Sequence, residues 1–139
     1  MKTYKLFILT ASIVMLFDSC AKNLMVNYQP NSENTGSIVI APTGSLEGSV
    51  LTIDNKLLVD KKFIKKITVN NVPTGDHQVN FSCDSWSYKE NLNEKFTVKT
   101  EKDKEYAKIV TKPPYSTGYY LVWGLEAILD VVLILSLHP

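Results

Sequence analysis

The chain has 139 residues, enough for one domain with one core, and its 15 basic residues are all lysine, set against 14 acids. Without arginine it lacks the planar, bidentate groups that usually read phosphates and nucleic-acid bases, which argues against nucleic acid as a partner. Two cysteines, Cys20 and Cys83, allow at most one disulfide.

Residues 1–19 follow the secretory order. Lys2 and Lys5 make a basic start, an apolar stretch runs from Leu6 to Phe17 broken only by Thr10 and Ser12, and the small Ser19 precedes Cys20. The apolar run is short of the ~20 residues a span needs and matches the ~7–15 of a signal-peptide core, so cleavage is expected rather than anchoring. Leu16-Phe17-Asp18-Ser19-Cys20 resembles the lipobox of bacterial lipoproteins. The resemblance implies that Cys20 receives a diacylglyceryl thioether and that the chain is cut between Ser19 and Cys20. It also implies that the new amine is acylated with a fatty acid such as palmitate. The alternative is an ordinary secreted protein in which Cys20 falls by chance. Multiple acyl chains make such an anchor durable, since each buried methylene contributes about 0.8 kcal/mol and two or more chains hold stably. Removing residues 1–19 takes away Lys2, Lys5 and Asp18 and leaves lysines and acids equal in number. In lipoproteins, residues just after the cysteine help to sort the protein between membranes. Ala21-Lys22-Asn23 lacks the aspartate linked to inner-membrane retention, and no acidic run follows, so the expected location is the cell envelope, at the outer membrane facing the periplasm.

From Lys22 to Gly36 the chain is rich in Asn, Ser, Gln and Pro, and residues 20–36 are read as a lipidated flexible tether. Over residues 37–112, β-branched runs recur between turn signals: Ile38-Ile40, Val50-Ile53, Ile67-Val69, His77-Phe81, Phe96-Val98 and Tyr106-Val110. Their spacing predicts a mainly β protein, a small antiparallel β-sandwich. Val79, Phe81 and Cys83 alternate with Gln78, Asn80 and Ser82, as in a strand with one wet face. Cys83 then falls on the dry face and is read as a buried thiol, since a reactive cysteine needs an accessible, electropositive setting. Asp54-Asn55-Lys56 suits a tight reversal, and Pro73-Thr74-Gly75 places Pro where φ is preset and Gly where positive φ is cheap. The stretch 48–56 followed by 71–79 resembles PEGA-type β-sandwich modules, in which a strand ends near Asp-Gly and an apolar-Pro-x-Gly-x-His turn leads to the next strand. That resemblance implies an adhesive or structural role. Lys61-Lys62-Phe63-Ile64-Lys65-Lys66-Ile67 is the densest basic cluster. It is read as a solvated edge strand or loop whose lysines discourage edge pairing, with lipid headgroups as the alternative contact. Trp86 and Tyr88 are candidate surface contacts, and packing against the core is the other reading.

Lys112-Pro113-Pro114 should stop the last strand. Within residues 113–139, the stretch Tyr119–Leu137 is apolar but for Glu126 and Asp130, and as a helix it would reach about 28 Å, near the ~30 Å of a hydrocarbon core. Two carboxylates at mid-bilayer cost about 2.5–3.5 kcal/mol each, while each large aliphatic returns about 0.3–0.6, so crossing gains little. Glu126 and Asp130 are four apart and share a face, which suits a helix lying on a membrane or against a partner, with Tyr119, Tyr120 and Trp123 at headgroup level. The alternative is a tail folded back onto the sandwich.

No reaction chemistry stands out. His77 follows a turn and His138 is next to last, neither in a nucleophile motif; two histidines and Cys83 lack zinc-ligand spacing, and no phosphate-cradling or calcium-binding loop is present. The expectation is a lipid-anchored, non-enzymatic envelope lipoprotein without cofactor or metal, whose sandwich binds or scaffolds an envelope protein partner. The second expectation is a component of a membrane protein assembly docked through the apolar C-terminal helix.

Overall fold

The computed structural model describes residues 20–30 and 33–137, with side chains of the last helix described as far as Val132. The expected signal peptide, residues 1–19, with Ser19 and its cleavage junction, lies outside the described residues, as does His138. Strands β1 (Lys22–Asn27), β2 (Thr35–Pro42), β3 (Leu46–Ile53), β4 (Lys56–Pro73), β5 (Gly75–Cys83), β6 (Leu92–Thr100) and β7 (Glu105–Val110) precede one helix, α1 (Thr117–Leu137). The strands form a single mixed sheet in the order β6-β5-β3-β4-β2-β7, with β1 also paired to β4. It is nearly closed. The β6 and β7 edges meet through side chains, where Lys108 Nζ lies 3.5 Å from Glu94 Oε2 and 5.2 Å from the Phe96 ring centre.

Strand β4 organises the whole. Its first half pairs with β3, from Ile53↔Lys56 to Leu46↔Ile64, and its second half pairs with β1 and β2. Straight, its 18 residues would reach about 60 Å. Yet the turn before its start and the carbonyl at its end both touch one imidazole: His77 Nδ1 is 2.6 Å from Asp54 Oδ2, and Nε2 is 2.8 Å from the Pro73 carbonyl oxygen. The strand therefore doubles back between Lys61 and Lys66. Lys61 has a φ of 44°, and the pairing register shifts on both sides of this stretch. A bulge of this kind adds local twist and turns a corner in the sheet.

The doubling sorts every connection to one of two ends. At the far end lie the Asp54-Asn55 reversal, Pro73-Thr74-Gly75 and the turn between β6 and β7. At the near end lie Cys20 with the start of β1, the β4 bend, the β2–β3 and β5–β6 connections, and the exit from β7 into α1. Asp54 and Asn55 have φ of 48° and 63°, the pair of positive values a type I′ hairpin turn requires. Gly48, with φ 67°, sits where any Cβ would lie 2.1 Å from the Asp84 carbonyl oxygen, which lets the near ends of β3 and β5 close together.

Alternation carries the core. Val79, Phe81 and Cys83 point inward from β5 and join Ile38, Ile40, Leu51, Ile53, Ile64, Ile67 and Val69 in one buried cluster. Each fully buried aliphatic or aromatic contributes about 1.5–3 kcal/mol.

Two expectations are corrected. Lys22–Asn27 is a strand, not part of a loose tether: Leu24, Val26 and Tyr28 alternate inward and pack against the core along the open side of β4. The sheet is also not purely antiparallel, because β1 runs parallel to β4 and β7 parallel to β2. After β6 the chain crosses at residues 101–104, where Asp103 N donates to Thr35 O and Ser37 N to Lys104 O, and so delivers β7 to the free edge of β2. An alternating pattern marks the two faces of a strand and carries no information about the direction of its neighbour.

Candidate functional site

The near end gathers most of the residues singled out in the sequence. Cys20 is exposed and only Ala21 separates it from β1, whose first residue, Lys22, stands opposite Ile64 at the β4 bend. The bend presents exposed Lys61, Lys62, Lys65 and Lys66 on either side of the buried Ile64. The short basic-apolar alternation there thus splits into a wet and a dry set.

The loop after β5 carries Trp86 and Tyr88, and the structure separates them. Trp86 is 63% exposed, whereas Tyr88 is 7% exposed, so Tyr88 is not the surface contact expected of it. The reason is its hydroxyl, which accepts from Glu47 N at 2.9 Å and donates to Ser45 O at 3.4 Å, drawing the ring under the β2–β3 connection. Burial, with smaller contributions from neighbouring groups, pushes the Tyr88 phenol up to about 12 even though the bond from Glu47 N acts the other way. Glu47 also accepts from the hydroxyls of Ser85 and Ser87 at 2.9 and 2.6 Å, tying the same loop to β3.

From Tyr88 an aromatic stack leads outward to the helix. Tyr88 and Tyr115 stack at 5.8 Å, Tyr115 and Tyr119 at 4.1 Å with a 4° interplanar angle, and Trp86 and Trp123 each approach Tyr119 at 6.1 Å. Lys112 Nζ sits 4.1 Å from the Tyr115 ring centre, within cation–π range. Ser116 joins helix to loop: its Oγ accepts from Tyr119 N, as an N-cap does, and donates to Trp86 O at 3.0 Å, while its N–H donates to Ser87 O at 2.8 Å. A serine three residues before the first periodic aromatic is the sequence signal that would have marked this cap. Tyr115, Lys112 and Glu47 carry no such signal, because they are brought together by connections far apart in the chain.

Beyond this first turn α1 leaves the sheet. Its described aliphatics, Leu121 to Val132, are 50% to 70% exposed, so the tail does not fold back to complete the core. Glu126 and Asp130 are exposed and continue the face that begins with Tyr119 and Trp123, at spacings of four, three and four. Leu121, Leu125, Ile128 and Val132 repeat the same spacing on the opposite face. Among the described residues no helix is long and apolar enough to cross a membrane.

The far end holds the main polar cluster away from that surface. Asp54 accepts from Gln78 N at 2.8 Å and Tyr28 OH at 3.2 Å and meets His77 Nδ1. Burial favours the neutral acid, but the bonds from His77, Gln78 and Tyr28 outweigh it and hold the Asp54 carboxyl below the usual carboxylate range. His77 Nδ1 faces Asp54 and Nε2 faces the Pro73 carbonyl oxygen, so both ring nitrogens are engaged within the fold. Cys83 is fully buried, donates to Glu47 O at 2.9 Å, and is pushed up to about 11 by burial and by the nearby Asp84 and Glu47, too high for a thiolate nucleophile at neutral pH. Among the described residues no three His, Cys, Asp or Glu side chains gather to hold a metal ion. A shallow, open depression of about 300 Å³ on the outer face of β5 and β6 is lined by polar side chains, including Gln78, Asn80 and Lys95.

No family model, curated protein or solved structure matches this chain.

Proposed function

We propose that the chain is a lipid-anchored, non-enzymatic cell-envelope lipoprotein, cut between Ser19 and Cys20 and acylated on Cys20. Its curled sheet serves as a sandwich-like binding or scaffolding module at the outer membrane, facing the periplasm. The observation that carries this reading is the run Leu16-Phe17-Asp18-Ser19-Cys20 after a short apolar core, with Cys20 exposed and only Ala21 between it and the first strand. A thiol in that position is open to modification, and a signal peptide can be removed there without cutting into the sheet. The non-enzymatic part is supported by the buried Cys83 and by a His77 ring held between Asp54 and the Pro73 carbonyl oxygen within the fold.

The test is Cys20→Ala in cells fed a labelled fatty acid. The wild-type protein is expected to take up label and sediment with membranes, and the variant to lose both. Unchanged labelling and fractionation, or a purified native protein beginning elsewhere than residue 20, rejects the anchor.

A further inference from the structure

We infer that the near end of the sheet is a bilayer-docking surface for anionic phospholipid, and that α1 lies flat in the headgroup region with its Leu121-Leu125-Ile128-Val132 face toward the acyl chains. This rests on the lipid-anchor reading for its orientation, and deepens it from one point of attachment to a surface.

Three independent features emerge at this one end. Cys20 lies just ahead of β1, whose first residue stands opposite Ile64 at the β4 bend. The bend exposes Lys61, Lys62, Lys65 and Lys66, with the exposed Lys22 opposite Ile64. The acids of this end, Asp60, Glu47, Asp84 and Glu90, are fewer, and Glu47 is already bonded to Ser85 and Ser87. The apolar helix also starts here, pinned through Ser116 to the 85–88 loop, with Trp86 and Tyr120 exposed at its foot. Lysine and amphipathic rings at the edge of an apolar element are the composition of a membrane–water boundary. Beyond its first turn the helix is apolar over most of its circumference, its described aliphatics lie exposed, and it needs a cover. The two carboxylates decide how it is covered: crossing would bring Glu126 and Asp130 into hydrocarbon for little gain, whereas lying flat keeps their face in water and buries the opposite one.

Bilayer depth tests this on the acylated, full mature chain. It would be reconstituted into vesicles of phosphatidylcholine with phosphatidylglycerol, with or without bromine on the acyl chains as a contact quencher. The only tryptophans are Trp86 and Trp123, so two single reporters suffice: Leu125→Trp in a Trp86→Phe, Trp123→Phe background for the aliphatic face, and Trp123 in a Trp86→Phe background for the acidic face. Strong quenching of the first and weak quenching of the second is expected. Changing Lys61, Lys62, Lys65 and Lys66 together to Gln in an unacylated Cys20→Ala chain should lower its partitioning onto phosphatidylglycerol vesicles by roughly a thousandfold and leave pure phosphatidylcholine unaffected. Vesicles that carry the acylated protein while neither tryptophan is quenched overturn the docking surface and leave the lipid anchor standing. Equal, strong quenching at both faces overturns the flat placement, and crosslinking of α1 to another envelope protein without quenching assigns it to a protein groove instead. Absent acyl mass at residue 20 with face-selective quenching retained would overturn the anchor and leave docking intact.

Discussion

Replacing Tyr88 with Phe removes one oxygen from the joint between sheet and helix and little else. The ring keeps its stack on Tyr115. What is lost is the acceptor of Glu47 N at 2.9 Å and a weaker bond to Ser45 O at 3.4 Å. An N–H left without its partner in a buried setting costs about 1–3 kcal/mol. Glu47 is itself exposed, so water can reach part of the site, and the lower half of that range, about 1–2 kcal/mol, is expected. For a domain of this size that is a fall in Tm of about 4–8 °C, or a lower urea midpoint with unchanged slope. The pH dependence gives a second check. The folded Tyr88 phenol titrates at about 12, above the ordinary value near 10, so the unfolded chain releases its proton first. The wild type should therefore lose stability between about pH 10 and 12, and Tyr88→Phe should lack that loss. The gap between the two proteins is constant below about pH 9 and narrows above 10. A variant within about 0.3 kcal/mol of wild type near neutrality, or a gap that widens in alkali, refutes the reasoning.

Cys83 should resist iodoacetamide in the native protein and label only on unfolding, as followed by intact mass; its contribution to stability is complete below about pH 9 and declines as pH rises toward about 11, a slope Cys83→Ala should lack. Asp54→Asn should lower the urea midpoint near neutrality and flatten its acid dependence. A carboxyl with a lowered folded pKa stabilises above its ordinary value near 4, and that support fades as pH falls through the folded value. Ser116→Ala should cost the first turn of α1 about 1 kcal/mol, seen as faster amide exchange at Tyr119 and Tyr120 with β3 and β5 unchanged; equal acceleration in those strands would mean that the helix supports the sheet after all.

Much of the strand content was legible because it depends on local periodicity. The runs at Ile38-Ile40, Val50-Ile53, Ile67-Val69, His77-Phe81, Phe96-Val98 and Tyr106-Val110 all fall inside strands, both turns reverse the chain where expected, and Cys83 lands on the dry face. Lys22–Asn27 was missed because its two inward apolar side chains, Leu24 and Val26, are too few to outweigh the polar residues around them until β4 offers an edge. For Tyr88 the sequence left surface contact and core packing both open, and packing is what the structure has: its hydroxyl finds partners in Glu47 and Ser45, more than forty residues earlier, so nothing near it in the chain chooses between the two.

By itself, the order of residues determined most of the strands, where two of the turns lie, and that the C-terminal stretch is helical and apolar. These follow from side-chain period and backbone preference, which act over a few residues at a time. Only the tertiary structure decided that β4 doubles back at its lysines, that β1 and β7 join in parallel, and that Cys20, those lysines and the foot of α1 share one end. Neighbour choice depends on which edge is free and which cores can merge, and those are settled between segments that sequence spacing does not relate.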